Sequence, residues 1–258
     1  MTATTSTASP AVTVFRRALA AEWIKYRSVR SLVWTTAATA VLPVPGAAIV
    51  AATGSLQPDD TVLGGSLSFS VPAMMLAAVL GALVVCGEYG SGTMRATLTA
   101  VPRRGTVLAA KGTLVAALLY ALALPATTAA YLVGDAMLGA EYAQGEPMPA
   151  LLGVAAAFSV AGLLGLAVGT LLRHAAGAIT AVLALLLLPS LLGPLLGDAE
   201  RWVAGVSPTA ALEKLIQTSD ATAEAVGSLP AWPSLLLVTG YTTLALLAAT
   251  TLLHRRDV

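Results

Sequence analysis

Charged side chains make up only 10% of this 258-residue chain. Those close enough together to do chemistry gather in two short stretches. One is AEWIKYRSVRS, which carries Glu22, Lys25, Arg27 and Arg30. The other is EYGSGTMRATLTAVPRR, residues 88–104, which carries Glu88, Arg95, Arg103 and Arg104, with Lys111 following. Acids and bases of this kind could bind phosphate, couple to protons or catalyse, and each use demands its own pattern. Holding ATP in a phosphate loop requires GxxxxGK[ST], where backbone amides and a lysine cradle the phosphates. None of Lys25, Lys111 or Lys214 precedes a serine or threonine, so that loop is missing. His174 and His254 lie far apart with no cysteine or carboxylate pair nearby, and HExxH and GxSxG are absent. They read as interfacial histidines that tolerate water. The single cysteine, Cys86, excludes an intramolecular disulfide and a cysteine zinc site, and reads as a small core residue. No catalytic residue, cofactor or metal site is therefore expected, and the absence of a basic stripe interleaved with aromatics argues against nucleic acid.

The elements that position these charges are written in the hydropathy. The chain is 57% hydrophobic with mean hydropathy +0.83, whereas a soluble domain carries roughly a quarter charged residues. Crossing the hydrocarbon core takes about 20 apolar residues. Six runs qualify: about 31–53, 66–87, 110–133, 150–172, 175–197 and 233–253. The fold class expected is thus all-α and polytopic, with a single membrane domain over 15–258 behind a small, polar, disordered tail at 1–14. No ionisable group lies mid-run, which argues against a proton-driven carrier. Lys111 stands near enough to one end to snorkel.

Charge then orients the bundle. Arg16, Arg17, Lys25, Arg27, Arg30, Arg95, Arg103, Arg104, Lys111, Arg173, Arg255 and Arg256 fall on one side, and only Arg201 and Lys214 on the other. Ten of the thirteen carboxylates, Asp59 and Asp60 among them, share that second side. The positive-inside rule makes both termini cytoplasmic. The lack of asparagine, with three lysines against eleven arginines, reads as codon bias in a GC-rich bacterial genome.

Two amphipathic segments flank the membrane on the basic side. Residues 15–30 place Phe15, Leu19, Trp23, Tyr26 and Val29 within an arc of about 120°, suited to an interfacial helix. Glu22 falls inside that arc, where it needs a partner such as Lys25 or Tyr26. In the second stretch Met94, Leu98 and Val101 form a stripe, Ser91 or Gly92 can cap, and Pro102 stops the helix. Glu88 precedes it, where the helix dipole favours an anion. On the acidic side, Ser207 and Pro208 open a further helix whose stripe is Leu212, Leu215 and Ile216. Within the spans, Gly153, Ala157, Ala161, Gly165 and Gly169 recur every four residues, a pattern for close helix packing. Pro43, Pro45, Pro72, Pro125 and Pro189 are expected to kink their helices.

Six spans with both termini inside resemble permease subunits of the type-2 ABC transporter family. AEWIKYRSVRS is similar to that family's segment before the first span. EYGSGTMRATLTAVPRR, continuing to Lys111, is similar to its loop after the second. The resemblance implies that this loop is a coupling helix docking on a separate ATPase subunit. Glu88, Gly92, Thr93, Arg95, Pro102 and Arg103 would carry the coupling, and Glu22 and Arg27 would play secondary parts. It also implies a second permease half, either a homodimer or a sister chain, in a lipid membrane. A bacterial exporter of a hydrophobic or amphipathic substrate, with energy from the partner's ATP, is the expected function. A non-transporting anchor that recruits a soluble protein through the same loops is the alternative. A polytopic membrane enzyme is disfavoured by the lack of convergent catalytic groups.

Overall fold

The computed structural model describes residues 10–56, 59–101, 103–138, 142–195, 197–219 and 221–255. Helices α1 (Pro10–Ser28), α2 (Arg30–Val41), α3 (Pro43–Thr53), α4 (Val62–Leu67), α5 (Ser70–Gly90) and α6 (Thr93–Ala100) occupy the first half. Then follow α7 (Arg104–Leu138), α8 (Pro147–Leu172), α9 (Ala175–Leu192), α10 (Glu200–Val203), α11 (Pro208–Ile216), α12 (Ala223–Val226) and α13 (Ala231–Arg255). Six candidate spans result: Arg30–Thr53, Val62–Gly90, Arg104–Leu138, Pro147–Leu172, Ala175–Leu192 and Ala223–Arg255. The chain is an all-α polytopic membrane protein.

Helix α1 begins at Pro10, five residues before the expected boundary. The tail reading for residues 1–9 lies outside the described residues. At Val29 the backbone turns extended (φ −99°, ψ 106°), which separates α1 from the first span. Pro43 opens α3 directly after α2, so the first span is broken where a proline N–H is missing. Pro125 and Pro189 also lie inside helices. Pro45 and Pro72 fall just past the breaks in the spans Arg30–Thr53 and Val62–Gly90, at Leu42 and at Ser68–Phe69, in the first turn of the helix that resumes there.

Helix α8 is the hub, with 83% of its most apolar window buried, and it packs most extensively on α5 and α7. The α5–α8 contact is backbone on backbone. A Cβ added to Gly165 would clash with the Ala78 carbonyl oxygen, and one on Gly81 with that of Gly162. Only glycine permits this approach. Gly169 meets Ala82 and Val85 on the same face, whereas Gly153 faces Leu215 and Trp232 instead. Ala157 and Ala161 are buried in the same core. By contrast only 17% of the α9 window and 22% of the Ala223–Arg255 window are buried, leaving apolar faces for lipid.

The two ends of the bundle differ in chemistry. At the basic end Arg104 donates to the Leu253 carbonyl, and Arg173 lies 5.3 Å above the Tyr89 ring. Arg173 (φ 57°) and the His174 imidazole, which accepts from Gly177 N–H at 3.1 Å, form the tight turn between α8 and α9. His174 therefore caps a helix. At the acidic end Asp60 accepts from Ser219, and Gln217 bonds Glu146 and Thr61. These contacts tie three loops together beside α11, whose Ser207 cap accepts from Ala210 N–H at 3.0 Å. Helix α11 leans on α8 and α13 with Leu212, Leu215 and Ile216 buried.

Candidate functional site: an ionic tetrad at the basic end

The sequence of α1 buries Ala18, Glu22 and Tyr26, positions four apart on one helical face. Glu22 thus points into the bundle, 4% exposed, on the arc that the sequence assigns to apolar contact. Its partner is Lys25, one turn on, at 2.9 Å. Two further groups meet them. Glu88 accepts from Lys25 at 2.9 Å and from Lys111 at 2.5 Å, and Lys111 also donates to Glu22 at 2.6 Å. The third ammonium hydrogen of Lys25 reaches the Thr97 hydroxyl at 2.9 Å, which brings in α6. Two carboxylates and two ammonium groups from α1, α5 and α7 therefore form a neutral, mutually bonded tetrad, and Thr97 attaches the short loop helix to it.

Burial sets the electrostatics. The Lys111 side chain is 1% exposed, and those of Glu22 and Glu88 are 5% and 10%. An isolated charge at such depth would be too costly to hold, so each group persists because its counter-charges are in contact. Burial pulls the Lys25 ammonium down, but the hydrogen bonds and charges of Glu88 and Glu22 outweigh it. Its pKa is raised above its ordinary 10.5.

Two expectations change here. Glu88 does not stand free ahead of the loop helix as an anion for its dipole. It is in the last turn of α5, its carboxylate turned inward because two ammonium groups outbid a helix end. Lys111 does not snorkel, because Glu22 and Glu88 meet it inside the bundle. Met94 is buried and Leu98 packs against the core, anchoring α6 from one side. Val101 has left the helix (φ −127°), so it closes no stripe. Gly92 takes the N-cap position at φ 72°, which a residue with a Cβ adopts only under strain. Thr93, Arg95 and Arg103 are exposed on the same end of the molecule, and Pro102 lies outside the described residues. Trp23 and Arg27 on α1 and Arg30 at the start of α2 are exposed, and Trp23 is stacked on Tyr26 with the Arg27 guanidinium 5.8 Å from the Trp23 ring centroid.

What the geometry offers is rigidity. Ion pairs join α1 to the second and third spans, and the Thr97 hydrogen bond attaches the loop helix α6 to them. The family model described as ABC-2 family transporter protein matches residues 9–258, and the chain belongs to that family of ABC transporter permeases. No curated protein matches the sequence. Permeases of this family are transport membrane subunits, generally not catalytic themselves, and work with ATP-binding subunits in general.

Proposed function

We propose that this chain is the membrane half of a bacterial ATP-driven exporter, set in the plasma membrane with both termini and the tetrad on the cytoplasmic side. A separate ATPase subunit docks on α6, and a second permease half, identical or sister, completes the path. Arg95 and Arg103 with Thr93 form the docking face, and Gly92 opens the helix that carries it. Span-facing side chains are small and apolar, which favours a hydrophobic or amphipathic cargo.

The observation that carries this reading is the bonding of Lys25 to Glu22, Glu88 and Thr97 at once. A displacement of α6 by a partner is thereby delivered to α1 and to the second and third spans together, as a rigid-body push. Glu88 acts in this scheme from within, as the anchor for both lysines, and not as a surface contact. Arg95→Glu, on an exposed position, is expected to abolish co-purification with the ATPase and its stimulation, while melting of the permease stays within about 0.5 kcal/mol of the parent. Unchanged binding and stimulation in Arg95→Glu and Arg103→Glu would refute docking at α6. Efflux from vesicles holding the permease alone would remove the ATPase from the scheme.

A further inference from the structure

Helix α1 turns Ala18, Glu22 and Tyr26 into the bundle, so its opposite face meets the surroundings. Two adjacent ridges build that face. Arg16, Trp23 and Arg27 lie along one, and Arg17 and Ile24 along the next. All five are exposed, Ile24 at 69%. Arginines at both ends thus bracket an apolar middle. Their charge is uncompensated. Glu22 is the only carboxylate between residues 10 and 58, and it is bonded to Lys25 and Lys111 inside the neutral tetrad. Among the described residues Arg16, Arg17, Arg27 and Arg30 make no ion pair. Four arginines between residues 16 and 30, with the one acid of that segment turned inward, call for an anionic partner. Position selects which one. Val29 alone separates α1 from the first span, so the face stays at the membrane boundary. Trp34 stands one turn after Arg30 and is 74% exposed, and tryptophan beside a cation at a span end marks the headgroup level. Trp23, with Arg27 5.8 Å from its ring, repeats the pairing on α1. Aromatic and aliphatic side chains set between arginines match a surface that is apolar beneath and anionic above, which is a lipid leaflet.

We propose that the outward face of α1 binds anionic phospholipid, with Arg16, Arg17 and Arg27 on the headgroups and Trp23 and Ile24 among the upper acyl carbons. The site needs only the folded chain in a bilayer and does not depend on the transport reading. A choline lipid carries the same phosphate with an ammonium that cancels it, which makes it the matched control. The test keeps Trp23 as the sole fluorophore by combining Trp34→Phe, Trp202→Phe and Trp232→Phe in the full chain. The protein is reconstituted into phosphatidylcholine vesicles holding increasing amounts of acyl-brominated phosphatidylglycerol or phosphatidylcholine, and quenching of Trp23 is read. The brominated glycerol lipid should quench like about five times as much brominated choline lipid, the weight of one arginine beside an anionic headgroup. Arg16→Gln, Arg17→Gln and Arg27→Gln combined should bring the two quenchers level. So should about 1 M salt, where the Debye length is about 3 Å. Quenching by neither lipid would put the face in water, open to a soluble protein, and overturn the proposal. Equal quenching by both at low salt would leave apolar contact without headgroup selection, and overturn it too. A preference that survives in the folded arginine variant would move the anionic lipid to other cations and refute the site. Should the tryptophan replacements unfold the chain, the same comparison on the parent, differenced against Trp23→Phe, decides.

Discussion

Replacing Lys111 by methionine tests the tetrad most directly, because it removes one charge and leaves a side chain of similar length. The parent tetrad is neutral, with two carboxylates against two ammonium groups; Lys111→Met leaves it at −1. The uncompensated charge sits on Glu22 and Glu88, whose side chains are 5% and 10% exposed, so water cannot relieve it. Breaking a buried ion pair by deleting one partner costs about 3–5 kcal/mol. Lys25 still bonds both carboxylates, which places the expected loss near the lower end, about 3 kcal/mol. Lys25→Met produces the same net charge, but Lys25 is 37% exposed and solvent screens its pairs, so about 1 kcal/mol is expected there. The order of the two variants, not only their size, follows from burial. Adding Glu22→Gln to Lys111→Met restores neutrality and should recover stability, with a coupling of about 1–3 kcal/mol between the sites. Unfolding by SDS titration in a fixed lipid–detergent mixture, followed by far-UV circular dichroism, measures all five proteins: the parent, the three single variants Lys111→Met, Lys25→Met and Glu22→Gln, and the double variant. If Lys111→Met unfolds with the parent, or if Glu22→Gln makes it worse by its own full cost, the tetrad is not the buried, coupled unit described here.

Three other outcomes follow from the geometry. Gly165→Ala should cost about 1–3 kcal/mol or more, since its Cβ falls against the Ala78 carbonyl, whereas Gly177→Ala, with 3.6 Å to its nearest neighbour, should be neutral or stabilising in the same melt. The raised pKa of Lys25 means that the folded state holds this proton more tightly than the unfolded chain, so its contribution is complete below pH 10.5 and fades as pH climbs through the folded value. A pH series of melting temperatures should accordingly show a steeper alkaline decline in the parent than in Lys25→Met; parallel curves would contradict the assignment. Thr97→Val, which deletes the Lys25 contact without changing side-chain size, should cost no more than about 1.5 kcal/mol in stability. Its larger effect should be on ATPase stimulation through the permease, while ATPase binding persists; normal stimulation would separate α6 from the tetrad.

Much of the fold could be read from the chain because hydrocarbon imposes a blunt, one-dimensional rule: long apolar runs, with charge sorted between their ends. The six spans and the cap at Ser207 come from such local signals. The tetrad was only half legible. Glu22 advertises a need by lying on an apolar face, and Lys25 three residues on is the local answer. Lys111 is 89 residues from Glu22 and 23 from Glu88, so only packing of α1, α5 and α7 brings them together. A signal existed in hindsight: Lys111 lies just inside the start of one apolar run and Glu88 directly follows the end of another, where a solitary charge is expensive. The small-residue stripe was likewise partial. A period of four finds Gly165 and Gly169, which face α5, but misses Gly162, which α5 also approaches through Gly81. Helical faces alternate threes and fours, and a strict interval follows only one ridge.

The placement of the tetrad also bears on why it is ionic at all. Buried ion pairs are weak arguments for stability, because apolar side chains of similar volume often hold a fold equally well. An apolar patch among α1, α5, α6 and α7 would glue the four helices but let them slide, since dispersion contacts are many and directionless. Hydrogen-bonded charges fix distance and register, and they penalise separation steeply once buried. Lys25 spends all three of its donors on three different attachments, Glu22 on its own helix, Glu88 on α5 and Thr97 on α6. Such an element resists shear, the property required if work arriving at a loop helix is to reach two spans at once. On the proposed reading, the buried charges of the tetrad are therefore the stiff part of the drive, and the exposed Arg95 on α6, with Arg103 just beyond it, is the handle.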